Sequence, residues 1–142
     1  MANTIKLEVI TPSKMFYEGD CELVIARTLF GDEGFMAGHS WACKLLDVDE
    51  LWLKEAGAKD FKVAAVAGGF IDVKDSIILY TDAAEWREEI DKKRAEEAKA
   101  DAEEWLSKDE KHDPNEIARA QIALSKSIAR LHVANGGRRS KR

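Results

Sequence analysis

The sequence has little of what catalysis, metal binding or membrane insertion requires. Its two cysteines, Cys21 and Cys43, lack a CxxC pair or a histidine at ligand spacing, so zinc and redox chemistry have little support. Both are expected to be buried and reduced, since free cysteine is among the most buried residue types. No phosphate-binding P-loop, dinucleotide-binding glycine motif or nucleophile elbow is present, so we predict no catalytic residue and no metal ligand.

Long hydrophobic segments are also absent. No apolar run approaches the ~18 residues of a membrane span, and 35% of the residues are charged. The N-terminus has neither the order of a secretory signal nor the composition of a transit peptide. We therefore expect a bacterial cytoplasmic protein that reaches a membrane only through a partner.

Charge is distributed unevenly along the chain. Residues 1–84 carry 14 acidic and 8 basic groups, a net −6, and residues 85–113 carry 12 and 7, a net −5. Residues 114–142 carry 1 and 7, a net +6. The last segment is therefore expected to meet an acidic partner.

The first part of the chain, residues 1–83, alternates apolar and polar residues as β-strands do. Predicted strands are the alternating runs Ile5-Leu7-Val9 and Cys21-Leu23-Ile25, then Leu51–Lys54, Phe61–Val66 and Ile77–Tyr80. Turn residues separate them, including the segment from Gly31 to Gly34. Short strands at this spacing favour an antiparallel β-sandwich or barrel. Gly68 and Gly69, inside an apolar run, predict a bulge or a close backbone approach.

Helix-forming residues dominate after about Asp82. The pattern predicts a helix from Ala83 to Ser107, with an apolar side of Ile90, Ala95, Ala98, Ala102 and Leu106. A second helix begins with Asp113 as its cap, Pro114 in the first turn and Glu116 in a capping-box position. It runs to about Val133, with an apolar stripe of Ile117, Ala120, Leu124, Ile128 and Leu131.

A short linker joins the two helices, so residues 84–135 are expected to form an antiparallel two-helix hairpin. Its alanines bury little area at ~25 cal/mol per Å², which makes the hairpin marginally stable and a plausible movable element. Residues 136–142 are predicted to be a basic, disordered tail.

Several segments occur in an order and spacing that one family shares. They are Leu7–Pro12, Tyr17–Gly19, Glu22–Ile25, Asp32–Gly34, Gly38-His39, Gly68–Val73, Thr81–Glu85 and Ile90–Ala95. Over almost the whole chain they resemble the epsilon subunit of F-type ATP synthases, which is equivalent to the mitochondrial delta subunit. Some positions depart from the family pattern, among them Ser40-Trp41-Ala42, where the family usually has Ala-Pro-Leu. A proline usually found before Gly38 is Ala37 here, and Arg27–Phe30 replaces a glycine-rich loop.

The resemblance implies a non-catalytic, central-stalk rotor subunit with a sandwich of about ten strands and a regulatory hairpin. It implies binding to the gamma subunit and to the c-ring, with Asp32 and His39 as the c-ring contacts. The complex would hold the chain at the cytoplasmic face of the cell membrane.

The same resemblance gives the hairpin two roles. Extended, its second helix would inhibit ATP hydrolysis by meeting the acidic DELSEED-type loop of the beta subunit through Arg119, Lys126 and Arg130. Folded, it would offer a regulatory ATP site, although no cofactor is required. The residues of that candidate site are Glu85, Ile90, Asp91, Arg94, Ala95, Lys126 and Arg130. An alternative for Asp91 and Arg94 is a local salt bridge, since they are three residues apart in a helix.

A second function class remains open at this stage. The basic second helix and tail would also suit a nucleic-acid-binding or generic protein-interaction adaptor. The acidic N-terminal part opposes nucleic-acid binding, and no RNA-binding aromatic motif is present. Each of the three histidines, His39, His112 and His132, is expected to lack a role as a ligand or a base.

Overall fold

The computed structural model describes residues 3–108 and 113–136. Within these ranges a β-sandwich is followed by two helices, which confirms the predicted α+β class. The elements are β1 Ile5–Ile10, β2 Met15–Thr28, β3 Gly31–Phe35, β4 Ala42–Glu55, β5 Lys62–Val73, β6 Ile77–Tyr80, β7 Ala84–Trp86, a 3₁₀ turn Arg87–Glu89, α1 Lys92–Ser107 and α2 Pro114–Ala134. They form two compact units, one ending at Trp86 and one beginning at Arg87.

The sheet of the first unit closes on itself. Its strand order is β1-β6-β5-β4-β2-β3, and β1 also pairs with β2, so five strands form a ring. β3 is added to β2, and β7 pairs with β5. β1 and β6 pair in parallel, while the other pairings are antiparallel. The described residues form seven strands, fewer than the ten or so implied by the resemblance, because β2, β4 and β5 run unbroken through 12 to 14 residues.

The interior of this ring is filled by aliphatic side chains from every long strand. Burying apolar area at about 25 cal/mol per Å² is the main force that stabilises such a core. Its largest fully buried members are Phe35, Leu7, Leu51, Leu53, Ile71, Ile77 and Leu79. The first unit therefore has a hydrophobic core of its own.

A β-bulge changes which side chains of β2 face the core. Cys21 is buried, but the next buried residues are Val24 and Ala26. The register between β2 and β4 shifts between Cys21 and Leu23, and one extra residue reverses the alternation. The simple alternation predicts that Leu23 and Ile25 share the face of Cys21. This prediction is wrong, because the bulge turns Val24 and Ala26 to the core instead.

The two cysteines differ in exposure. Cys21 is buried, and burial raises the pKa of its thiol. Cys43 is exposed, so the prediction that both are buried is wrong for this residue. It lies on β4 opposite Asp72, among residues that point away from the core.

Gly68 and Gly69 make the predicted close backbone approach. Both have positive φ angles, of 75° and 110°. A Cβ built on Gly69 would lie 1.8 Å from the carbonyl oxygen of Tyr80. Only glycine allows β5 to pass β6 at this distance.

Two local predictions are wrong. The segment from Gly31 to Gly34, expected to be a turn, forms most of β3, because it pairs with Ile25–Thr28 of β2. The first helix does not begin at Ala83 but at Lys92, because Ala84–Trp86 pairs with Ala64–Val66 as β7. In both places pairing with a distant strand overrides the local preference.

The second unit holds the two helices, and each begins as a capped helix. The carboxylate of Asp91 accepts a hydrogen bond from the backbone N–H of Arg94 at 3.1 Å. Asp113 does the same for Asn115 at 3.1 Å, which confirms the predicted cap of α2. Asp91 is thus seen as a cap and not in the local salt bridge with Arg94 considered above.

The buried helix residues are small. They are Ala95 and Ala102 in α1, and Ser127, Ala129 and Val133 in α2. Ile128 is 48% exposed, so its place in the predicted apolar stripe is wrong. Among the described residues no helix is long and apolar enough to cross a membrane. His112, in the linker, and the tail from residue 137 lie outside the described residues, so the predicted disorder of the tail stays a prediction.

Candidate functional site

An exposed row of apolar side chains crosses five strands of the sandwich. Leu45 on β4 pairs with Phe70 on β5, and Phe70 pairs with Tyr80 on β6. Tyr80 pairs with Ile10 on β1, which in turn pairs with Met15 on β2. Four of the five are 37% to 60% exposed, and Ile10 is partly buried. We call Leu45, Phe70, Tyr80, Ile10 and Met15 the apolar row.

Two aromatic rings form the centre of the apolar row. The rings of Phe70 and Tyr80 stack with their centroids 4.7 Å apart. Beside them lies an open groove of about 390 Å³ whose surface is almost entirely apolar, between Ile10-Thr11-Pro12 and Gly69-Phe70. A contiguous exposed apolar surface next to a groove is typical of a protein-binding site.

The turn between β2 and β3 is a second exposed feature. Phe30 is 92% exposed and Leu29 62% exposed at its tip. The hydroxyl of Thr28 fixes the turn, because it accepts from the backbone N–H of Phe30 at 3.1 Å and lies 3.1 Å from the carbonyl oxygen of Gly31. An ion pair between Arg27 and Asp32, at 3.6 Å, lies just below the tip.

A buttress of polar side chains supports β3 from the neighbouring strands. Glu33 accepts hydrogen bonds from the ammonium of Lys44 and from the hydroxyl of Thr28. Lys44 is the main cause that holds the pKa of the Glu33 carboxyl below its ordinary value. The carboxylate therefore stays ionised at neutral pH.

Asp32 and His39, predicted to contact the same partner, lie at opposite ends of β3. Asp32 is near the β2–β3 turn, whereas His39 follows the far end of the strand. The Nδ1 of His39 donates to the carbonyl of Ser40 at 2.7 Å, and its ring lies 5.0 Å from that of Phe35. A partner that meets both side chains would have to extend along the whole of β3.

An aromatic and ionic cluster fixes β7, the last strand of the first unit. The ring of Trp86 lies 4.6 Å from that of Phe16 and 5.9 Å from that of Tyr17. Tyr17 donates to Glu55 at 2.9 Å, and Lys62 pairs with Glu55 at 3.0 Å while its ammonium lies 5.8 Å from the Trp86 ring. Burial raises the pKa of the Tyr17 hydroxyl, which remains a donor.

The candidate nucleotide residues fall in both units. Glu85 lies in β7, in the first unit, and the others lie in the hairpin. Ile90 and Ala95 are buried, whereas Asp91 and Arg94 are exposed at the start of α1. Lys126 and Arg130 are partly exposed on α2.

Three basic residues share one face of α2. Arg119, Lys126 and Arg130 are separated by seven and four residues, which brings them to the same side of a helix with 3.6 residues per turn. Arg119 is exposed and the other two are half-buried. This basic face is the arrangement expected of a helix that meets an acidic surface.

Arg87, which the sequence did not single out, joins the two ends of the hairpin. Its Nε donates to the carbonyl of Val133 and its Nη2 donates to the carbonyl of Gly136, both at 3.0 Å. These contacts show that the chain before α1 lies beside the end of α2, so the helices are antiparallel. No local pattern could have indicated a contact across 46 and 49 residues. The apolar row was missed for a related reason, since it is assembled from single residues of five strands.

Comparison with known proteins gives matches over both units. Residues 4–87 match the family model for the ATP synthase delta/epsilon chain beta-sandwich domain, and residues 88–135 match the one for its long alpha-helix domain. The ATP synthase epsilon chain of Clostridium novyi is 39% identical over 135 residues, which cover 94% of this chain and 99% of the relative. That of Bacillus velezensis is 39% identical over 132 residues, covering 92% and 97%.

The fold is also found in solved structures. A chain of the mitochondrial ATP synthase of Euglena gracilis, in a cryo-EM structure of OSCP, F1 and c-ring, matches with a TM-score of 0.75. The identity is 23%, and the match covers 89% of this chain and 78% of that chain.

Proposed function

The chain belongs to the ATP synthase delta/epsilon chain family, and we propose that it acts as a non-catalytic rotor subunit in the central stalk. In this role it couples the catalytic head to rotation of the c-ring and inhibits ATP hydrolysis through its hairpin. The complex holds it at the cytoplasmic face of a bacterial membrane. The family membership favours this function over the nucleic-acid-binding alternative.

The apolar row is the observation that supports docking to the gamma subunit. Soluble proteins rarely leave such a surface uncovered, and stacked aromatic rings are typical of the residues that dominate binding energy in an interface. The row is carried by paired strands of a closed sheet, so it is preorganised for a rigid partner. We therefore assign the gamma subunit to this face.

The β2–β3 turn is our candidate for the c-ring contact. It offers Asp32 together with two exposed apolar side chains, Leu29 and Phe30, at the tip of a hairpin held by Thr28. Exposed loop tips on rigid scaffolds are where proteins commonly place contacts. His39, at the far end of β3, is left out of this contact.

A co-expression experiment tests the assignment of the gamma subunit to the apolar row. The chain is co-expressed with the gamma subunit, and binding is measured for Phe70→Lys and Tyr80→Lys, with Met36→Lys as an exposed apolar control outside the row. We expect the first two variants to weaken binding by at least about tenfold, because each places a charge in a desolvated contact. Gamma binding that is equal in all three variants would rule out the apolar row.

The c-ring assignment is tested in the assembled enzyme by measuring ion pumping and ATP hydrolysis. Asp32→Lys is expected to retain gamma but to lower the ratio of ions pumped to ATP hydrolysed, whereas His39→Ala is expected to leave that ratio unchanged. The assignment is wrong if Asp32→Lys pumps normally, or if only the His39 variant is impaired.

We further propose that the folded hairpin binds ATP near the start of α1 and the end of α2. Arg87 contacts Val133 and Gly136 at the end of α2, so in antiparallel helices we expect residue 91 to lie near the level of Arg130 and residue 95 near that of Lys126. Two cations four residues apart can hold phosphate groups. Lysine lacks the planar fork of arginine, so we expect weak binding that Lys126→Arg tightens.

Equilibrium dialysis of the full chain against labelled ATP measures this site. Arg130→Ala is expected to abolish binding, and Lys99→Ala, a cation of α1 outside the site, to leave it unchanged. An affinity that is the same in the Arg130 and Lys99 variants would show that ATP binds elsewhere or without a specific site.

A further inference from the structure

The side chain of Arg87 bridges the chain before α1 and the end of α2. Its two donating nitrogens, Nε and Nη2, reach two different carbonyl oxygens, of Val133 and Gly136, each at 3.0 Å. The flat guanidinium can serve both acceptors at once, which an ammonium group cannot do with the same geometry. The bridge is therefore specific to arginine.

The two acceptors of Arg87 lie at the end of α2: the carbonyl of Val133 is in the last turn and also accepts from the backbone N–H of Gly136 at 3.1 Å, and the carbonyl of Gly136 follows the helix cap. The last four carbonyls of an α-helix have no partner within the helix, and they carry the negative end of its dipole. α2 ends at Ala134, and its cap Asn135 is followed by Gly136 with a φ of 104°. A cation at this end stabilises the helix and fixes where it stops.

The rest of the hairpin has little apolar packing with which to resist separation. The buried residues of α1 are two alanines, Ala95 and Ala102, and those of α2 are Ser127, Ala129 and Val133. Small side chains contribute little hydrophobic stabilisation, because they bury little area. A pair of charge-assisted hydrogen bonds is correspondingly important in an element of this kind.

We propose that Arg87 is a clasp that holds the hairpin closed and sets how often its helices separate. The proposal rests on the inhibitory hairpin described above, and adds the residue that regulates it. Separation of α2 from the start of α1 breaks both bonds of Arg87 at the same moment, so the clasp opposes the extended form. Losing it shifts the population towards that form.

Amide hydrogen exchange of the isolated full chain tests the clasp without any enzyme activity. In Arg87→Gln we expect exchange to quicken about tenfold, equivalent to about 1.4 kcal/mol, both in residues 131–136 and in the first two turns of α1. The exchange rate of Arg87→Lys is expected to lie between the rates of Arg87→Gln and of the native chain. Lys93→Gln removes the same charge from an exposed site nearby and is expected to change neither segment.

Three outcomes would overturn the proposal. One is unchanged exchange in Arg87→Gln. Another is faster exchange in the last turn of α2 alone, which means that Arg87 caps one helix and does not join two. The third is an equal effect of Lys93→Gln, which means that only net charge matters. Exchange in β4 and β5 of Arg87→Gln is measured as well, because an unchanged rate there excludes general destabilisation of the chain.

The assembled enzyme separates this proposal from the inhibitory function. If both hold, Arg87→Gln lowers ATP hydrolysis, since the extended hairpin is the inhibitory form. If exchange quickens as expected while hydrolysis is unchanged, the clasp stands and the inhibitory function is wrong. If exchange is unchanged, the clasp is wrong whatever the hydrolysis rate.

Discussion

At the scale of single residues, Gly69 shows how closely two strands can determine an amino acid. Its positive φ of 110° and the carbonyl of Tyr80, 1.8 Å from where a Cβ would lie, exclude any side chain. Phe70, the next residue in β5, and Tyr80, on the adjacent strand β6, both belong to the apolar row. The close approach therefore holds the centre of the proposed gamma-binding face in position.

We expect Gly69→Ala to lower the free energy of unfolding by more than the ~1–3 kcal/mol of backbone strain alone, because β5 or β6 must also move. Gly57→Ala is the matched control, since Gly57 has a φ of 76° but no atom within 4 Å of its missing Cβ. Urea unfolding of both variants measures the difference. Equal losses would mean that strain, and not the clash, determines the cost.

Glu55 gives a residue-level prediction with a pH dependence. Its hydrogen bond from Lys62, and then that from Tyr17, hold the pKa of its carboxyl below the ordinary 4.5. The stabilisation is therefore present above pH 4.5 and is lost as the pH falls through the lower pKa of the folded state. Glu55→Gln is expected to lower the unfolding midpoint slightly at pH 7, by an amount that shrinks towards pH 3. A deficit that persists unchanged at pH 3 would contradict this explanation.

At the scale of elements, the basic face of α2 carries the inhibitory proposal. Arg119, Lys126 and Arg130 are at least partly exposed, and a single exposed ion pair contributes only ~0–1 kcal/mol. Several cations must then act together, over a screening length of about 8 Å at physiological salt. The contact with the acidic loop of the beta subunit should consequently weaken with salt.

We expect simultaneous replacement of Arg119, Lys126 and Arg130 by alanine to raise ATP hydrolysis of the assembled enzyme severalfold while synthesis is largely retained. Single replacements are expected to have much smaller effects. Hydrolysis and synthesis are measured on membranes in which the chain is shown to remain bound. If the bound triple variant hydrolyses ATP at the native rate, the hairpin is not the inhibitor.

The elements also show which parts of the structure the sequence predicts. The caps at Asp91 and Asp113 and the strand around Leu7 depend on neighbours in the chain, and local patterns reveal them. Ala84–Trp86 has helix-forming neighbours and yet forms β7, because its pairing with β5 outweighs a propensity of a few tenths of a kcal/mol per residue. The bridge from Arg87 to Gly136 and the apolar row arise from tertiary contacts, so no local window contains them.

At the scale of the whole molecule, the first unit has its own core and ends at a fixed strand. Most of the buried residues from Ile5 to Leu79 form one cluster, and Trp86 packs against Phe16 and Tyr17. A domain with a complete core is able to fold without an appended helical element. The apolar row lies entirely within it.

We accordingly expect a chain truncated before Glu88 to fold and to bind gamma. Circular dichroism should show the strand signal without the helical one, and co-purification should recover gamma in normal yield. This truncated chain is compared with the native chain and with a shorter chain truncated before Ala84, which also lacks β7. An unfolded spectrum for the chain that retains β7 would show that the hairpin is needed for the sandwich to fold.

The parallel pairing of β1 with β6 determines when this domain can form during synthesis. Leu7 pairs with Ile77, so the first strand to leave the ribosome waits for one of the last strands of the sandwich. Contacts between residues so far apart in sequence make folding slow. The chain loses the entropy of closing a long loop before the contacts can stabilise it. A nascent chain that ends before β6 can pair β1 with β2 alone, on one of its two edges. The ring can close only after residue 80 has emerged, at which point the hairpin that the domain will carry is still being translated.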